Sequence, residues 1–147
     1  MIGIVTEEII NNPKFYVMFR ELNKLSDQMP VFVFSNGVRQ LPIKNKFTIL
    51  QQIEAMSHQG TLIATDILSS QVVAKSMTPK KKLLYLQDLE WTKLQNFQAQ
   101  QVSNLFLNTQ LEVVVRSEKH KEVVSKLFRP VDKVVYNWRA SELLKVI

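Results

Sequence analysis

The sequence predicts an α/β protein in which helices cover both faces of a mainly parallel sheet of five or six strands. Short apolar runs rich in Val, Ile, Leu and Phe alternate with longer stretches of helical period. Several runs, such as residues 31–34, are apolar throughout, which is typical of strands buried on both faces. The length of 147 residues suits one compact domain over residues 1–147. These features together are typical of a Rossmann-like three-layer sandwich.

The first half of the chain predicts three strands and three helices. The apolar runs at residues 2–5, 31–34 and 60–66 are the strands. Apolar residues at helical spacing predict helices over 13–26, after the start signal Asn12-Pro13, and over 46–59. A third helix should begin near residue 69, with Ser69 or Ser70 as its cap.

The second half continues the alternation. Strands are predicted at residues 82–86, 111–117 and 132–138, and helices over 98–108 and 118–128. A short helix over 141–147 ends the chain. Right-handed crossovers between these strands would make an open, doubly wound sheet.

Composition excludes several kinds of site. The chain has no cysteine, so disulfides, thiolate metal sites and cysteine nucleophiles are excluded. Its three glycines form neither a dinucleotide-binding nor a phosphate-binding glycine loop, so we expect no nucleotide cofactor. His58 and His120 lack metal-ligand partners at helical spacing. We therefore expect no metal site, and we expect both histidines on the solvated surface.

The chain is basic, with a net charge of +6 and a pI near 9.6. This charge can favour nucleic acid, nucleotide phosphates or an anionic membrane, and a solubilising surface explains it equally well. The lysines cluster only at residues 80–82, directly before a strand. The N-terminus does not resemble a signal peptide, and no apolar run approaches the ~20 residues that cross a bilayer. We expect a cytoplasmic protein with no transmembrane segment.

Polar residues follow every predicted strand. In doubly wound sheets, ligands bind beyond the carboxyl ends of the strands, where loops and helix N-termini converge. Carboxylates there can accept hydrogen bonds from ligand hydroxyls or act as general bases, although each residue alone is more often a helix cap or a solvated turn. Arg116 and residues 137–139 also lie at such ends. The main candidates are Glu7, Asn36, Asp66, Gln87, Asp88, Glu90, Trp91, Ser117 and Glu118.

Part of this pattern resembles a known enzyme family. Residues 80–91, KKKLLYLQDLEW, are followed by a helical stretch and then by LEVVVRSEKHKEVVSKLF and VDKVVYNW. This order resembles the N-terminal, acceptor-side half of GT-B glycosyltransferases, especially family-4-like bacterial and phage enzymes. Some of these enzymes carry a comparable YFVQDYE segment, followed by a strand and a helix that starts Ser-Glu-x-His. The resemblance covers residues 60–138, about half of the chain.

The resemblance implies a Rossmann half that faces an acceptor across a cleft. Residues 87–90 would lie on one loop of this cleft, and Ser117 and Glu118 on the next. The glycine-rich turn that such enzymes often have after the first strand is replaced here by residues 6–8, Thr-Glu-Glu. The half that usually binds the nucleotide sugar would belong to a second polypeptide.

We therefore expect an isolated acceptor-side GT-B glycosyltransferase-like domain that is catalytically incomplete alone. It would be a subunit completed by a partner chain for glycosyl transfer, or an inactive remnant. Asp88 or Glu90 would orient or deprotonate an acceptor hydroxyl, and Trp91 would stack on a sugar or base.

The alternative is a non-catalytic Rossmann-like module that binds nucleic acid or a protein partner through its basic surface. The position of the positive charge discriminates between the two. A basic stripe along the strand ends favours nucleic acid, whereas dispersed lysines around an acid-lined cleft favour a sugar acceptor.

Overall fold

The computed structural model describes residues 1–89, 100, 102–104 and 110–147. Within these residues, seven parallel strands form one sheet, so the predicted α/β fold is confirmed with more strands than the expected five or six. The strands are β1 (Ile2–Ile9), β2 (Val31–Val38), β3 (Thr48–Gln51), β4 (Thr61–Ala64), β5 (Lys81–Leu86), β6 (Glu112–Val115) and β7 (Lys133–Val134). Their order across the sheet is β3-β2-β1-β4-β5-β6-β7.

Helices cover both faces of this sheet. The α-helices are α1 (Pro13–Ser26), α2 (Ile67–Lys75), α3 (Glu118–Leu127) and α4 (Ala140–Leu143), and 3₁₀ helices span Gln52–Ser57 and Tyr136–Trp138. Apolar residues of α1 and α4 pack on one face, and those of α2 and α3 pack on the other. No helix among the residues described is long and apolar enough to cross a membrane. The predicted helix over 98–108 lies largely outside the described residues.

Local sequence signals set the helix starts. The Asn12 side chain accepts a hydrogen bond from the Phe15 amide at 2.9 Å, and Pro13 occupies the first turn, as predicted. The start of α2 was predicted wrongly, because Asp66 rather than a serine is its cap. The Asp66 carboxylate accepts from the Ser69 amide at 2.7 Å.

The helix predicted over residues 46–59 is wrong. The chain forms edge strand β3 and then the 3₁₀ helix Gln52–Ser57. Ile53 and Met56, which a helix would have buried, are 74% and 37% exposed. Pairing of β3 with β2 satisfies backbone groups along the edge, and this long-range gain outweighs the helical spacing.

The first two strands are longer than predicted. β1 and β2 stay paired from Thr6–Ser35 to Ile9–Val38, beyond the end of β4 at Ala64. Glu7 and Asn36 therefore lie within strands and not in turns. The extension of β1 is stabilised by Ile9, which is fully buried in the core at its far end.

Both histidines are buried, so their predicted solvation is wrong. His58 is 6% exposed and His120 is 7% exposed. The His58 ring packs against the rings of Phe32 and Phe34, with centroids 6.0 and 5.6 Å away. A Cβ at Gly60 would clash with the Met1 backbone carbonyl oxygen and would come within 2.9 Å of the His58 Nε2 atom. This close approach requires glycine.

The last predicted strand, residues 132–138, is also wrong beyond Val134. The backbone turns at Asn137 and Trp138, whose φ angles are 46° and 62°. The Tyr85 hydroxyl fixes this turn, because it donates to the Val135 carbonyl at 2.7 Å and accepts from the Trp138 amide at 3.2 Å. Burial raises the pKa of Tyr85 to about 12, so the hydroxyl keeps its proton.

A buried carboxylate ties the start of α4 to α1. Glu21 is 5% exposed, pairs with Lys24 at 2.8 Å and accepts from the Ala140 amide at 3.3 Å. Burial alone would raise the pKa of Glu21, but the hydrogen bonds from Lys24 and Ala140, with the attraction of Lys24, lower it below its usual value. Its ionised form therefore supports the fold.

We expect Tyr85→Phe to lower the free energy of unfolding by about 1–3 kcal/mol, because a buried carbonyl and a buried amide lose their partner. Urea denaturation measures this change. Tyr16→Phe is the matched control, since Tyr16 is 45% exposed, and it should be neutral. Equal stability of both variants would contradict the role assigned to the Tyr85 hydroxyl.

We expect stability to fall as the pH falls through 6.5, the ordinary pKa of histidine. Burial lowers the pKa of His58, so the unfolded chain binds more protons than the folded protein in this range. Unfolding free energies at about pH 7.5 and 5.5 test this. His58→Gln should reduce the difference between the two pH values, whatever its absolute stability, and an unchanged difference would contradict the prediction.

Candidate functional site

Two cavities open at the carboxyl edge of the sheet, above β5 and β6. One, the α3 cavity, has a volume of about 260 Å³, and the other, the α1 cavity, has a volume of about 250 Å³. Gln87, Asp88 and Arg116 line both of them. These residues directly follow Leu86 and Val115, the last residues of β5 and β6. The two cavities therefore meet at one polar wall.

The α3 cavity contains hydrogen-bonding groups of both signs. The Ser117 side chain accepts from the His120 amide at 3.2 Å, which starts α3 beside the cavity. Burial lowers the pKa of His120, as does repulsion by Arg116, whereas Asp88 opposes this shift. This shift favours the neutral form of the imidazole. The polar lining consists of Gln87, Asp88, Arg116, Ser117, Lys119 and His120.

Asp88 lies between two cations. One carboxylate oxygen is 3.5 Å from the Lys14 ammonium, and the other is 3.7 Å from the Arg116 guanidinium. The Asp88 side chain is 40% exposed, so it faces both cavities without being enclosed. Lys14 is the second residue of α1, and α1 therefore reaches the edge above β5. The Asp88 carboxylate can accept a hydrogen bond from a ligand hydroxyl, while Lys14 and Arg116 balance its negative charge.

The α1 cavity lies between α1 and the turn at Asn137 and Trp138. Its lining includes Lys14, Val17, Tyr85, Arg116, Asn137 and Trp138. Trp138 is 2% exposed, and its ring centroid is 4.1 Å from that of Tyr85. Its indole Nε1–H has no hydrogen-bond acceptor among the residues described.

The structure brings together only part of the predicted site. Gln87, Asp88 and Ser117 line one cavity. Glu118 is exposed in the first turn of α3 and is not among the lining residues. Asp66 caps α2 and also accepts from the Thr65 hydroxyl at 3.0 Å.

Two further predicted residues form a separate pair. The Glu7 carboxylate accepts from the Asn36 amide group at 3.0 Å and from the Gln52 amide group at 3.0 Å. This network links β1, β2 and the first 3₁₀ helix, and none of its members lines either cavity. Glu90 and Trp91 lie outside the described residues.

Sequence reasoning missed several residues of the site. Lys14, Lys119 and Trp138 were not singled out as ligand-binding residues, and His120 was expected in solvent. A signal existed for Lys14 and Lys119, since in a doubly wound sheet the first helical turns face the carboxyl edge. Residues 137–139 were placed at a strand end, but Trp138 was not among the main candidates, because its position in the cavity wall depends on the turn that Tyr85 fixes.

The lysine run lies at the opposite edge of the sheet. Lys81 and Lys82 begin β5, whereas the cavities follow its end. The Lys81 ammonium is 3.5 Å from the Glu112 carboxylate, and the Lys82 ammonium donates to the Ala74 carbonyl at 3.0 Å. These two side chains are engaged within the fold and do not form a basic stripe along the strand ends.

Among the residues that the structure describes, no group of three or more His, Asp and Glu side chains could hold a metal ion. Comparison of the chain with protein-family models, with curated proteins and with solved structures finds no match.

Proposed function

We propose that the chain is the acceptor-side domain of a GT-B-like glycosyltransferase and acts with a second domain that carries the nucleotide sugar. The observation that supports this most directly is the α3 cavity at the carboxyl edge. There a carboxylate, an amide, a hydroxyl and two cations surround a volume of about 260 Å³. This volume is below the range of about 300–1,000 Å³ typical of small-molecule pockets, which suits a single sugar unit.

The chemistry of the lining fits a ligand with many hydroxyl groups. Each hydroxyl both donates and accepts a hydrogen bond. Asp88 accepts, Arg116 and Lys119 donate, and Gln87 and Ser117 can do both. In glycosyl transfer the acceptor oxygen forms a bond to the anomeric carbon, the bond from that carbon to the nucleotide breaks, and the acceptor loses its proton. Asp88 is our candidate to orient that hydroxyl or take its proton.

The position of the lysine run gives no support to a nucleic-acid site at the carboxyl edge. Lys81 and Lys82 make contacts within the fold at the amino edge. At the carboxyl edge, Lys14 and Arg116 surround an acid. Asp88 is the single carboxylate among the described lining residues of the two cavities, and Lys14, Arg116 and Lys119 supply the cations.

We expect Asp88→Asn to weaken saccharide binding about tenfold or more, because a hydrogen bond to a charged acceptor contributes about 1.5–3 kcal/mol. Its partly exposed ion pairs contribute about 0–1 kcal/mol, so Tm should change by less than about 3 °C. Titration with glucose, galactose and mannose, followed by NMR, measures the binding. Asp27→Asn is the control, since Asp27 forms an exposed pair with Lys46. Unchanged saccharide binding in Asp88→Asn would remove this residue from the site.

We expect the chain alone to bind UDP-glucose weakly or not at all, because it lacks a glycine-rich phosphate loop. Calorimetry measures this affinity. A dissociation constant in the low micromolar range would contradict the assignment to the acceptor side, since it would require a complete nucleotide-sugar site in this chain.

A further inference from the structure

We propose that the α1 cavity binds a phosphoryl group, so that the ligand of the carboxyl-edge site is a phosphorylated hydroxyl compound. This inference rests on the proposed function, because the hydroxyl groups of the same ligand would lie in the α3 cavity. The two cavities share Gln87, Asp88 and Arg116, so one ligand can extend across that wall.

Two cations line the α1 cavity from different elements. Lys14 comes from the first turn of α1, and Arg116 follows β6. Their distances to Asp88, 3.5 and 3.7 Å, exceed the roughly 2.7–2.9 Å of a charge-assisted hydrogen bond. The oxygens of a phosphoryl group in the cavity could approach both cations more closely than the Asp88 carboxylate does, because the ligand is not tied to the backbone at residue 88. Arginine and lysine are the usual phosphoryl-binding residues.

The Trp138 side chain forms part of the wall of the α1 cavity. Its Nε1–H is buried from solvent and has no acceptor among the described residues, so the indole can report on changes in this wall. Phosphoryl oxygens are acceptors only, so they match the Lys14 ammonium and the Arg116 guanidinium of the same wall.

The turn that carries Trp138 is fixed by its surroundings. Asn137 and Trp138 adopt φ angles of 46° and 62°, which cost free energy for residues with a side chain. The Tyr85 hydroxyl accepts from the Trp138 amide, and the Glu142 carboxylate accepts from the Tyr136 amide at 2.6 Å. These contacts hold the indole beside the cavity before a ligand arrives, which reduces the ordering cost of binding.

Substitution of Asp88 should change the affinities for phosphate and for saccharide in opposite directions. Its carboxylate repels a phosphoryl group and competes for Lys14 and Arg116. Asp88→Asn should therefore bind phosphate more tightly and saccharide more weakly than the unmodified protein. A purely structural role of Asp88 would move both affinities in the same direction.

The test is a titration of ¹⁵N-labelled protein with inorganic phosphate at constant ionic strength, followed through the indole N–H resonances. The chain has two tryptophans, and Trp91→Phe assigns the resonance of Trp138. We expect a saturable shift of the Trp138 resonance. Lys14→Gln and Arg116→Gln should each raise the dissociation constant about tenfold or more, and Asp88→Asn should lower it. Lys126→Gln is the control, because it also removes one positive charge but lies in the last turn of α3, away from the cavities. It should leave the dissociation constant for phosphate within about twofold of that of the unmodified protein.

The outcomes separate the two proposals. A Trp138 resonance that does not shift, or that shifts equally in Lys14→Gln and Lys126→Gln, overturns the phosphoryl site. Acetate that binds as tightly as phosphate also overturns it, because the cavity would then select carboxylates. Titrations with glucose and glucose 6-phosphate complete the design. Glucose binding without a phosphate response leaves the proposed function intact and removes only this inference, whereas phosphate binding without any saccharide response contradicts the proposed function.

Discussion

Burial of the parallel sheet on both faces is the constraint on which the rest of the structure depends. Apolar side chains of β4, β5 and β6 point alternately into two separate cores. A polar side chain within these strands would lose its hydration without gaining a partner. At the carboxyl edge of the sheet, carboxylates and amides therefore lie beyond the ends of the central strands, or in the part of β1 and β2 that extends past β4. Two polar regions result, around Glu7 and around Asp88.

The Asp88 carboxylate is held less closely by its partners than the Glu7 carboxylate is. The Glu7 carboxylate is held by two neutral amide groups, and that network joins three elements of the fold. The Asp88 carboxylate faces two cations at longer distances and borders two cavities. Weak, partly exposed pairs of this kind contribute little to stability. A ligand can therefore replace the ion pairs of Asp88 at little cost in stability.

Prediction from the sequence succeeded where the signal was local and failed where two structures shared one pattern. The bounds of α1 follow from Asn12, Pro13 and an apolar stripe, all of which act within a few residues. The apolar spacing of residues 46–59 fits a helix, but it also fits an edge strand followed by a 3₁₀ turn. Pairing with β2 decided between them. The predicted loop after β5 holds Gln87 and Asp88 as expected, because the end of an apolar run is itself a local signal.

The sequence by itself determined the parallel α/β sheet and the edge at which Gln87, Asp88 and Ser117 lie, since apolar runs, helix periods and right-handed crossovers leave few other arrangements. Only the tertiary structure decided which side chains meet there. Lys14 reaches Asp88 because the start of α1 lies at the carboxyl edge beside the turn at Asn137 and Trp138. Trp138 enters the cavity wall because the Tyr85 hydroxyl holds its backbone. Both contacts join residues distant in the chain, and their geometry depends on packing between elements, which no local pattern encodes.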